Sequence, residues 1–184
     1  MASRLLSTTA VRHWGALDPG EIAGILVGSS IAARELREDV ALASRTPVRV
    51  MVEGEYGVGK RRLARLIHRQ SIRGRAAFVK VRCADSGLQL ESLLFGRRHG
   101  AIGALERADG GTVLLEDIDA LTPAVQARLK RFVTTGEIQP VGAEGGAREA
   151  NVRLICTTRV PLTEKLESGA FCRGLYYLLN TMYL

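Results

Sequence analysis

The amino-acid sequence predicts an α/β domain built on a mostly parallel sheet, and three features support this prediction. Short strand-like runs alternate with amphipathic helical segments along most of the chain. Residues 112–115 form an apolar run, which is typical of a parallel strand covered by helices on both faces. The third feature is an alternating strand that ends abruptly in a glycine-rich turn at residues 54–60, with a helical pattern directly after it.

Length and composition favour a single domain. The 184 residues are 46% hydrophobic and 24% charged, which is enough to bury a core and excludes wholesale disorder. No apolar run approaches the roughly 20 residues that a membrane-spanning helix needs, so no membrane partner is expected. Three scattered cysteines (Cys83, Cys156 and Cys172) are too few for a disulfide framework and indicate a reducing, cytoplasmic location.

The first half of the chain predicts two helices and two strands. Apolar and charged residues separate onto opposite faces over residues 30–43, which indicates a helix that ends before Pro47. Valines alternate with other residues over 48–52, which predicts a strand. Apolar residues recur at i, i+3 and i+4 over residues 60–70, so a second helix is predicted there, followed by a strand over 77–81.

The second half continues the same alternation. Helices are predicted over residues 88–95 and 123–133, and Gly136 ends the second of them. These helices flank the apolar strand already described, and residues 152–157 form one more buried strand. Residues 142–150 contain three glycines and few apolar side chains, which predicts a mobile surface loop.

The N-terminal residues differ in composition from the rest. The first acid is Asp18, and Arg4 and Arg12 lie among serines and threonines, a composition loosely like that of a transit peptide. The segment has no clear apolar core, which argues against a secretory signal. We therefore interpret residues 1–23 as a leader or linker and residues 24–184 as the folded domain.

Positive charge is concentrated in one part of the chain. The formal net charge is +7, from 26 basic and 19 acidic residues, and residues 56–84 contain no acid at all. This balance suits a polyanionic partner such as a nucleotide, a nucleic acid or an acidic protein. The basic stretch itself has two interpretations, a solvated helix face or a weak nucleic-acid interface, and the first is favoured.

The glycine-rich turn carries a chemical motif. Its sequence, GEYGVGK at residues 54–60, matches the GxxxxGK pattern of a phosphate-binding loop. Glycines let successive backbone N–H groups converge on phosphate oxygens, Lys60 supplies a point charge, and the following helix directs its positive dipole end at the same place. Because a strand precedes the turn and a helix follows it, the motif predicts a nucleotide site.

Two acids complete the predicted site. Position 61 is Arg rather than a hydroxyl residue that could reach Mg²⁺, so a metal would be held by phosphates, water and an acid from elsewhere. Glu116 and Asp117 follow the apolar strand directly and are the candidates. One would orient Mg²⁺ through water and the other would polarise an attacking water.

Several segments between Val27 and Asn180 resemble the AAA+ ATPase domain of sigma-54-dependent transcriptional activators, the bacterial enhancer-binding proteins. The segments that carry the resemblance are VGSS (27–30), GEYGVGK (54–60), LARLIH (63–68), FVKVRCA (78–84), ESLLFG (91–96), ERADGGTVLLEDI (106–118), VQARLKR (125–131), VRLICTT (152–158) and GAFCRGLYYLLN (169–180). Together they cover about five-sixths of the chain.

The resemblance implies a P-loop NTPase fold, an AAA+ core of five mostly parallel strands flanked by helices. The sequence ends at Leu184, roughly where the last core strand would begin, so the helical lid and the helix-turn-helix module of the family are expected to be absent. ATP and Mg²⁺ are the implied cofactors. The implied partners are ATP or ADP, other AAA+ subunits and sigma-54 RNA polymerase, with nucleic acid bound only weakly.

The resemblance also assigns roles to residues. The nucleotide-binding group comprises Gly54, Glu55, Tyr56, Gly57, Val58, Gly59, Lys60 and Arg61. Glu116 would be the metal ligand and Asp117 the catalytic acid, although this pair stands in the reverse of the family's Asp-Glu order. Thr158 matches the family's sensor threonine. Two asparagines of the family are replaced here, one by Arg82, which would form an ion pair with the catalytic acid, and one by Arg159.

Two further departures concern hydrolysis and polymerase contact. The arginines that act on a neighbouring subunit's nucleotide in the family correspond to Cys172 and Leu178, and Arg173 lies one position away. The family's longer GAFTGA loop, which contacts sigma-54, is shortened here to residues 99–106. Three hypotheses follow: an ATP-binding relative of sigma-54-dependent regulators with weak or absent hydrolysis, a non-catalytic module that modulates intact AAA+ relatives, and a basic nucleic-acid-binding protein.

Overall fold

The computed structural model describes residues 26, 28–84, 87–143 and 145–184, and the predicted leader or linker (1–23) lies outside them. The elements in chain order are α1 (Ile31–Arg45), β1 (Val50–Glu53), α2 (Lys60–Arg69), β2 (Phe78–Arg82), α3 (Gly87–Phe95), α4 (Ala104–Arg107), β3 (Thr112–Glu116), a 3₁₀ turn (Ile118–Ala120), α5 (Pro123–Thr135), β4 (Glu137–Ile138), β5 (Arg148–Glu149), β6 (Arg153–Thr158), α6 (Thr163–Glu167), α7 (Arg173–Leu179) and β7 (Met182–Tyr183).

Five of the strands form one sheet, in the order β2–β3–β6–β1–β7. Every neighbouring pair in this sheet is parallel, so the predicted α/β fold with a five-stranded, mostly parallel sheet is confirmed. A parallel arrangement brings the carboxyl ends of the strands to one edge. The ends of β1, β3 and β6 (Glu53, Glu116 and Thr158) therefore lie side by side, and this edge carries the candidate site.

Helices cover both faces of the sheet. Alternate residues of a strand point to opposite faces, and β1 shows the consequence clearly. Val50 and Val52 pack with α1 and α2, whereas Met51 packs in the larger core formed with α3, α4, α5 and α7. The apolar run predicted as a strand with two covered faces is fully buried as β3. None of the described helices is both long and apolar enough to cross a membrane.

Helix ends follow their sequence signals. Ser30 caps α1, and its side-chain oxygen accepts a hydrogen bond from the backbone N–H of Ala33 at 3.2 Å. Pro123 occupies the first turn of α5, where its missing N–H costs nothing. Gly136 ends α5 in the left-handed conformation with φ +77°, as predicted, and the helix runs two residues beyond the predicted end at 133.

β7 is a short strand at one edge of the sheet. Met182 and Tyr183 pair in parallel with Val50 and Met51 of β1. The pairing continues in backbone hydrogen bonds, because Glu53 N donates to Leu184 O at 2.8 Å. β7 therefore forms the edge strand of the sheet beside β1.

One sequence prediction is wrong in part. A loop was predicted over residues 142–150, but Arg148 and Glu149 form β5, which pairs antiparallel with β4. Arg148 also binds Glu106 of α4 through a salt bridge of 2.6 Å, which fixes the strand against the domain. A two-residue strand followed by Ala150 and Asn151 gives almost no periodic signal, which is why the composition of the segment was misleading.

Residues 96–103, here called the short turn, overlap residues 99–106, where the resemblance predicts a shortened loop. Arg97 N donates to Ala101 O at 3.3 Å, which closes the turn on itself, and Val141 N donates to Gly96 O at 2.9 Å. Gly103 lies against the backbone so closely that a Cβ there would come within 2.4 Å of Leu94 O. Both ends of the short turn are therefore fixed to the domain.

Candidate functional site

The phosphate-loop motif lies between β1 and α2, at the carboxyl edge of the sheet. Gly57 and Gly59 adopt φ values of +87° and +96°, which side chains other than glycine's rarely adopt. α2 begins at Lys60, and Gly59 before it provides no side-chain cap. The first N–H groups of a ten-residue helix are thus directed out of its end, the arrangement in which helices bind anions.

Lys60 is folded back over the loop. Its Nζ donates to the carbonyl of Gly54 and, at 2.7 Å, to the carbonyl of Glu55. No acidic side chain among the described residues forms a salt bridge with Lys60. The ammonium therefore has its hydrogen bonds to neutral acceptors, which a phosphate oxygen can replace with a stronger, charge-assisted bond.

Glu116 lies at the end of β3 and is bound by an arginine. The Arg61 guanidinium makes a two-point contact, in which Nη2 donates to Oε2 at 3.1 Å and Nε donates to Oε1. The pairing raises the pKa of Arg61, through the hydrogen bond first and the opposite charge second. Both carboxylate oxygens of the predicted metal ligand thus face a cation of the same chain.

Asp117 is held in the same way by a different arginine. Arg159 donates from Nε to Oδ1 at 2.9 Å and from Nη2 to Oδ2 at 2.7 Å. Arg82 adds a weaker contact, with Nε at 3.8 Å from Oδ2, which confirms the ion pair predicted for that residue. The Arg159 hydrogen bonds, more than the nearby charges, hold the pKa of Asp117 below its ordinary value.

These residues line one cleft of about 320 Å³. Its walls combine the loop, the start of α2 and the tips of β2, β3 and β6. The lining residues are Tyr56, Gly57, Gly59, Lys60, Arg61, Arg82, Glu116, Asp117, Thr157 and Arg159. The cleft therefore brings together most of the predicted loop residues and both predicted acids, whereas Gly54, Glu55 and Val58 are not part of its lining.

Thr158 lies beside the cleft without lining it. It is fully buried, and its hydroxyl donates to the carbonyl of Val160 at 2.7 Å and lies 3.3 Å from Asp119 Oδ1. The preceding residue, Thr157, lines the cleft instead and accepts a hydrogen bond from Asp117 N at 3.4 Å. Thr158 thus contacts the segment after β3 rather than the open space of the cleft.

Arg173 lies away from these groups, at the start of α7. Its side chain is exposed, and Nε donates to Leu166 O at 3.5 Å. Cys172, the residue before α7, donates its backbone N–H to Gln126 Oε1 at 2.7 Å, and Leu178 O accepts from Arg49. Arg173 is not among the residues that line the cleft.

Arg159 is the site residue whose part the sequence did not reveal. The resemblance shows that Arg159 replaces an asparagine of the family. The sequence pattern does not predict its hydrogen bonds to Asp117. Its position directly after β6, beside the tip of β3, is the signal that was available, because adjacent parallel strands place their carboxyl ends together. Thr157 also lines the cleft, although the family pattern singles out its neighbour Thr158.

A divalent metal fits these residues poorly as they stand. Mg²⁺ requires oxygen ligands at close to octahedral geometry, and both oxygens of Glu116 are engaged by Arg61. Within the described ranges, no group of three or more His, Cys, Asp or Glu side chains is placed to hold a metal ion. A polyphosphate fits better, because its oxygens match the N–H groups and cations already directed into the cleft.

Comparison with protein families identifies the chain. The model of the sigma-54 interaction domain matches residues 26–184. The chain belongs to the sigma-54 interaction domain family. Among curated relatives, the Nif-specific regulatory protein of Sinorhizobium fredii (strain NBRC 101917 / NGR234) is 40% identical over 168 residues, which cover 86% of this chain and 28% of that protein.

Solved structures agree with this membership. NtrX from Brucella abortus in complex with ATP superposes with a TM-score of 0.80 at 31% identity, over 85% of this chain and 37% of that one. The same protein in complex with ADP gives a TM-score of 0.81 at 31% identity, over 85% of this chain and 36% of that one. A P-loop NTPase domain of a sigma-54 activator from E. coli shares the fold at a TM-score of 0.55 and 24% identity, over 77% of this chain and 98% of that one. This sigma-54 interaction domain thus has the AAA+ P-loop core. It spans about a third of the length of its curated relatives.

Proposed function

We propose that this sigma-54 interaction domain binds ATP or ADP in its cleft and hydrolyses ATP weakly or not at all. The observation that carries the proposal is the pairing of both acids with arginines beside an intact phosphate loop. The two NtrX structures, in complex with ATP and with ADP, support the choice of ligand. The wider role is that of a module related to regulators of sigma-54-dependent transcription.

Binding requires little rearrangement of the loop. The backbone N–H groups of residues 54–61 would surround the phosphates, and Lys60 would exchange the carbonyls of Gly54 and Glu55 for phosphate oxygens. Tyr56 and Val58 are largely exposed on the loop and flank the opening. Arg61, as the second residue of α2, contributes a cation rather than the hydroxyl that reaches Mg²⁺ in other phosphate loops.

Hydrolysis is weak in this proposal because the catalytic acid is already occupied. A carboxylate that polarises water needs a free oxygen lone pair directed at that water. Both oxygens of Asp117 accept hydrogen bonds from Arg159, and the lowered pKa makes the carboxylate a poorer base. Glu116 keeps its assignment as the Mg²⁺ ligand only if it leaves Arg61.

Two other residues keep roles within the proposal. Thr158 would act as a sensor through Asp119, because it contacts that residue rather than the cleft. Arg173 would act only on a nucleotide of a neighbouring subunit, since its exposed side chain is not directed into this cleft. Cys172 and Leu178, at the positions of the family's two trans-acting arginines, supply no positive charge.

The partners follow from the same features. Association with other AAA+ subunits is part of the proposal, as is a cytoplasmic location. Contact with sigma-54 polymerase is not expected, because the short turn, which the Arg97–Ala101 hydrogen bond closes, is shorter than the loop that the resemblance assigns to this contact. A binding module that modulates intact relatives is therefore the second candidate, and the occupied acids Glu116 and Asp117 favour it over turnover.

Nucleic acid is the least supported partner. Some residues of the basic stretch belong to the candidate site, since Lys60, Arg61 and Arg82 line the cleft. Arg73 donates to Asn151 O and Oδ1 at 2.6 Å, and Arg65 lies over the ring of Phe78. Five of the nine Lys and Arg residues in this stretch thus line the cleft or contact other parts of the domain. This agrees with weak, sequence-independent binding of a duplex.

Titration of ATP against wild type and Lys60→Ala, by calorimetry or with a fluorescent analogue, tests the proposal. We expect the variant to lose about tenfold or more in affinity, because it removes a charge-assisted bond to phosphate. Lys130→Ala is the matched control, since it removes an equal charge from an exposed position on α5, outside the cleft lining. Equal affinity in all three proteins, or none in wild type, would contradict the assignment.

A further inference from the structure

The charge of the cleft is unusual for a site that handles a metal-bound nucleotide. Its lining contains four cations, Lys60, Arg61, Arg82 and Arg159, against two carboxylates. Each carboxylate is held by its own arginine through two hydrogen bonds. The lining therefore has an excess of positive charge and lacks a carboxylate with both oxygens free.

The arginines retain donors that the acids do not use. A guanidinium has five N–H groups. Arg61 and Arg159 each donate one N–H from Nε and one from Nη2 to their carboxylate. Their side chains are 59% and 41% exposed and that of Arg82 is 58% exposed, whereas those of Glu116 and Asp117 are 10% and 14% exposed. The acids are thus largely withdrawn from solvent, whereas the side chains of the three arginines line the cleft and remain accessible.

A phosphate and a magnesium ion make opposite demands on this arrangement. A phosphate oxygen can accept the unused N–H groups while the arginine–carboxylate pairs stay intact. A magnesium ion bound by Glu116 would have to displace Arg61 from a carboxylate that is largely withdrawn from water, and the freed guanidinium would then lie beside the metal's own charge.

We propose that this cleft binds the metal-free polyphosphate of a nucleotide, with Arg61, Arg82 and Arg159 supplying the positive charge that Mg²⁺ supplies in other phosphate-loop proteins. This inference rests on the proposed nucleotide function and names the form of the ligand. It also accounts for the two arginines that hold the acids, because metal-assisted hydrolysis needs those acids free to bind the metal and orient water. The predicted Mg²⁺ cofactor and this inference exclude each other as descriptions of the bound state.

The first experiment compares nucleotide affinity with and without metal. Wild-type protein is titrated with ADP and with ATP by calorimetry, once in EDTA and once in excess Mg²⁺. We expect the affinity in EDTA to equal or exceed that in Mg²⁺. A requirement for Mg²⁺, or affinity about tenfold tighter in its presence, overturns this inference and leaves the proposed function intact. No binding in either buffer overturns both.

The second experiment removes the arginines that hold the acids. In the double variant Arg61→Gln and Arg159→Gln, affinity in EDTA should fall about tenfold or more, since charge-assisted bonds to phosphate are lost. Addition of Mg²⁺ should now strengthen binding, because Glu116 and Asp117 are free to face the metal. Arg62→Gln, an exposed neighbour outside the cleft lining, should keep the wild-type behaviour in both buffers.

Only a change in metal dependence distinguishes this role from a structural one, and thermal unfolding checks that each variant is folded. A double variant that binds nucleotide in EDTA as tightly as wild type overturns the inference. So does one that weakens equally in both buffers, because arginines with a purely structural role would give that result.

Discussion

The two sides of the cleft are made from adjacent parts of one sheet edge, yet they differ in what their charges are free to do. On the loop side, Lys60 donates only to backbone carbonyls, and the N–H groups of the α2 terminus have no side-chain cap. On the opposite side, called here the acid edge (Glu116, Asp117 and the arginines that bind them), every carboxylate oxygen faces a guanidinium.

The difference shows how binding and catalysis depend on separate kinds of chemistry. Phosphate binding by the loop uses backbone geometry and one lysine, which substitutions at neighbouring strand ends leave untouched. Catalysis needs free carboxylate oxygens at defined positions, and a single arginine on an adjacent strand end removes them. Under the proposed function, this domain has the first property without the second.

The largest expected effect concerns ATP hydrolysis, which depends on the acid edge and not only on the loop side. We expect wild type to release phosphate from ATP no faster than Lys60→Ala in a steady-state assay. The occupied Asp117 and the missing trans-acting arginines each remove a large factor, about 10³ for the arginine alone. Turnover well above that of Lys60→Ala would show that the acid edge is active, and Arg173→Ala would then be the next variant to measure.

A restored protein sharpens this prediction. Two versions of the family pattern are compared, one that keeps Arg159 and one that also carries Arg159→Asn. Because Arg159 would continue to hold the acid at position 117, only the second version should gain activity above the Lys60→Ala background. The substitutions common to both are Cys172→Arg, Leu178→Arg, Glu116→Asp and Asp117→Glu. Equal activity of the two versions would show that Arg159 does not limit hydrolysis.

Acid should affect the helix of the loop side before it affects the acid edge. His68 of α2 is buried against Phe78 and lies 2.9 Å from Thr112 Oγ1, and burial lowers its pKa to about 4. The His68 side chain is therefore protonated near pH 6.5 in the unfolded chain but only near pH 4 in the folded chain. Between those values stability falls with falling pH, by up to about 1.4 kcal/mol per pH unit.

Urea unfolding at several pH values between 7 and 4 measures this loss. His68→Gln removes the titrating ring, so its free energy of unfolding should change less steeply across the range. His99→Gln is the matched control, since His99 is exposed in the short turn, and its slope should match that of wild type. If His68→Gln and wild type have the same slope, burial of His68 does not govern the acid response.

The acid edge should respond only in stronger acid, and by less. The pKa of Asp117 is lowered in the folded state by Arg159, so its contribution to stability is present above the unfolded value near 3.8 and is lost as the pH falls through the lower folded value. Asp117→Asn should destabilise the protein by less than about 1 kcal/mol at pH 7, because the arginine is partly exposed.

Asparagine is the suitable replacement because it tolerates the left-handed backbone of this residue, at φ +56°. The difference between wild type and Asp117→Asn in the urea midpoint should shrink towards pH 3, whereas the exposed Asp39→Asn control should show little difference at either pH. A difference that persists unchanged at pH 3 would contradict the assigned ion pair.

The sequence was sufficient for the fold because the strong signals in it are local. The buried run at 112–115, the alternation before the loop and the spacing of leucines in α2 each depend on neighbouring residues. It failed at β5, whose two residues pair only with the distant β4. Such short strands exist because of tertiary contacts, here the salt bridge from Arg148 to Glu106.

The sequence predicted which residues form the site better than it predicted the contacts between them. Lys60, Glu116 and Asp117 stand in recognisable motifs, and the Arg82 ion pair followed from its place in the family pattern. The bond from Arg159 to Asp117 joins residues 42 positions apart on neighbouring strand ends. Periodicity carries no information about such a pair, and knowledge of the strand order is needed to find it.

The contacts of the short turn at residues 96–103 also determine how easily this segment could be lengthened into a projecting loop. Its two ends are fixed independently, at Gly96 by Val141 and at Gly103 by the backbone of Leu94, and only the Arg97–Ala101 hydrogen bond closes the segment between them. Extra residues inserted at His99 and Gly100 would leave both anchors in place, and loop closure costs only about 0.6 kcal/mol for each doubling of length. One insertion could therefore lengthen the turn, whereas the proposed function implies that hydrolysis would require both Glu116 and Asp117 to be released from their arginines.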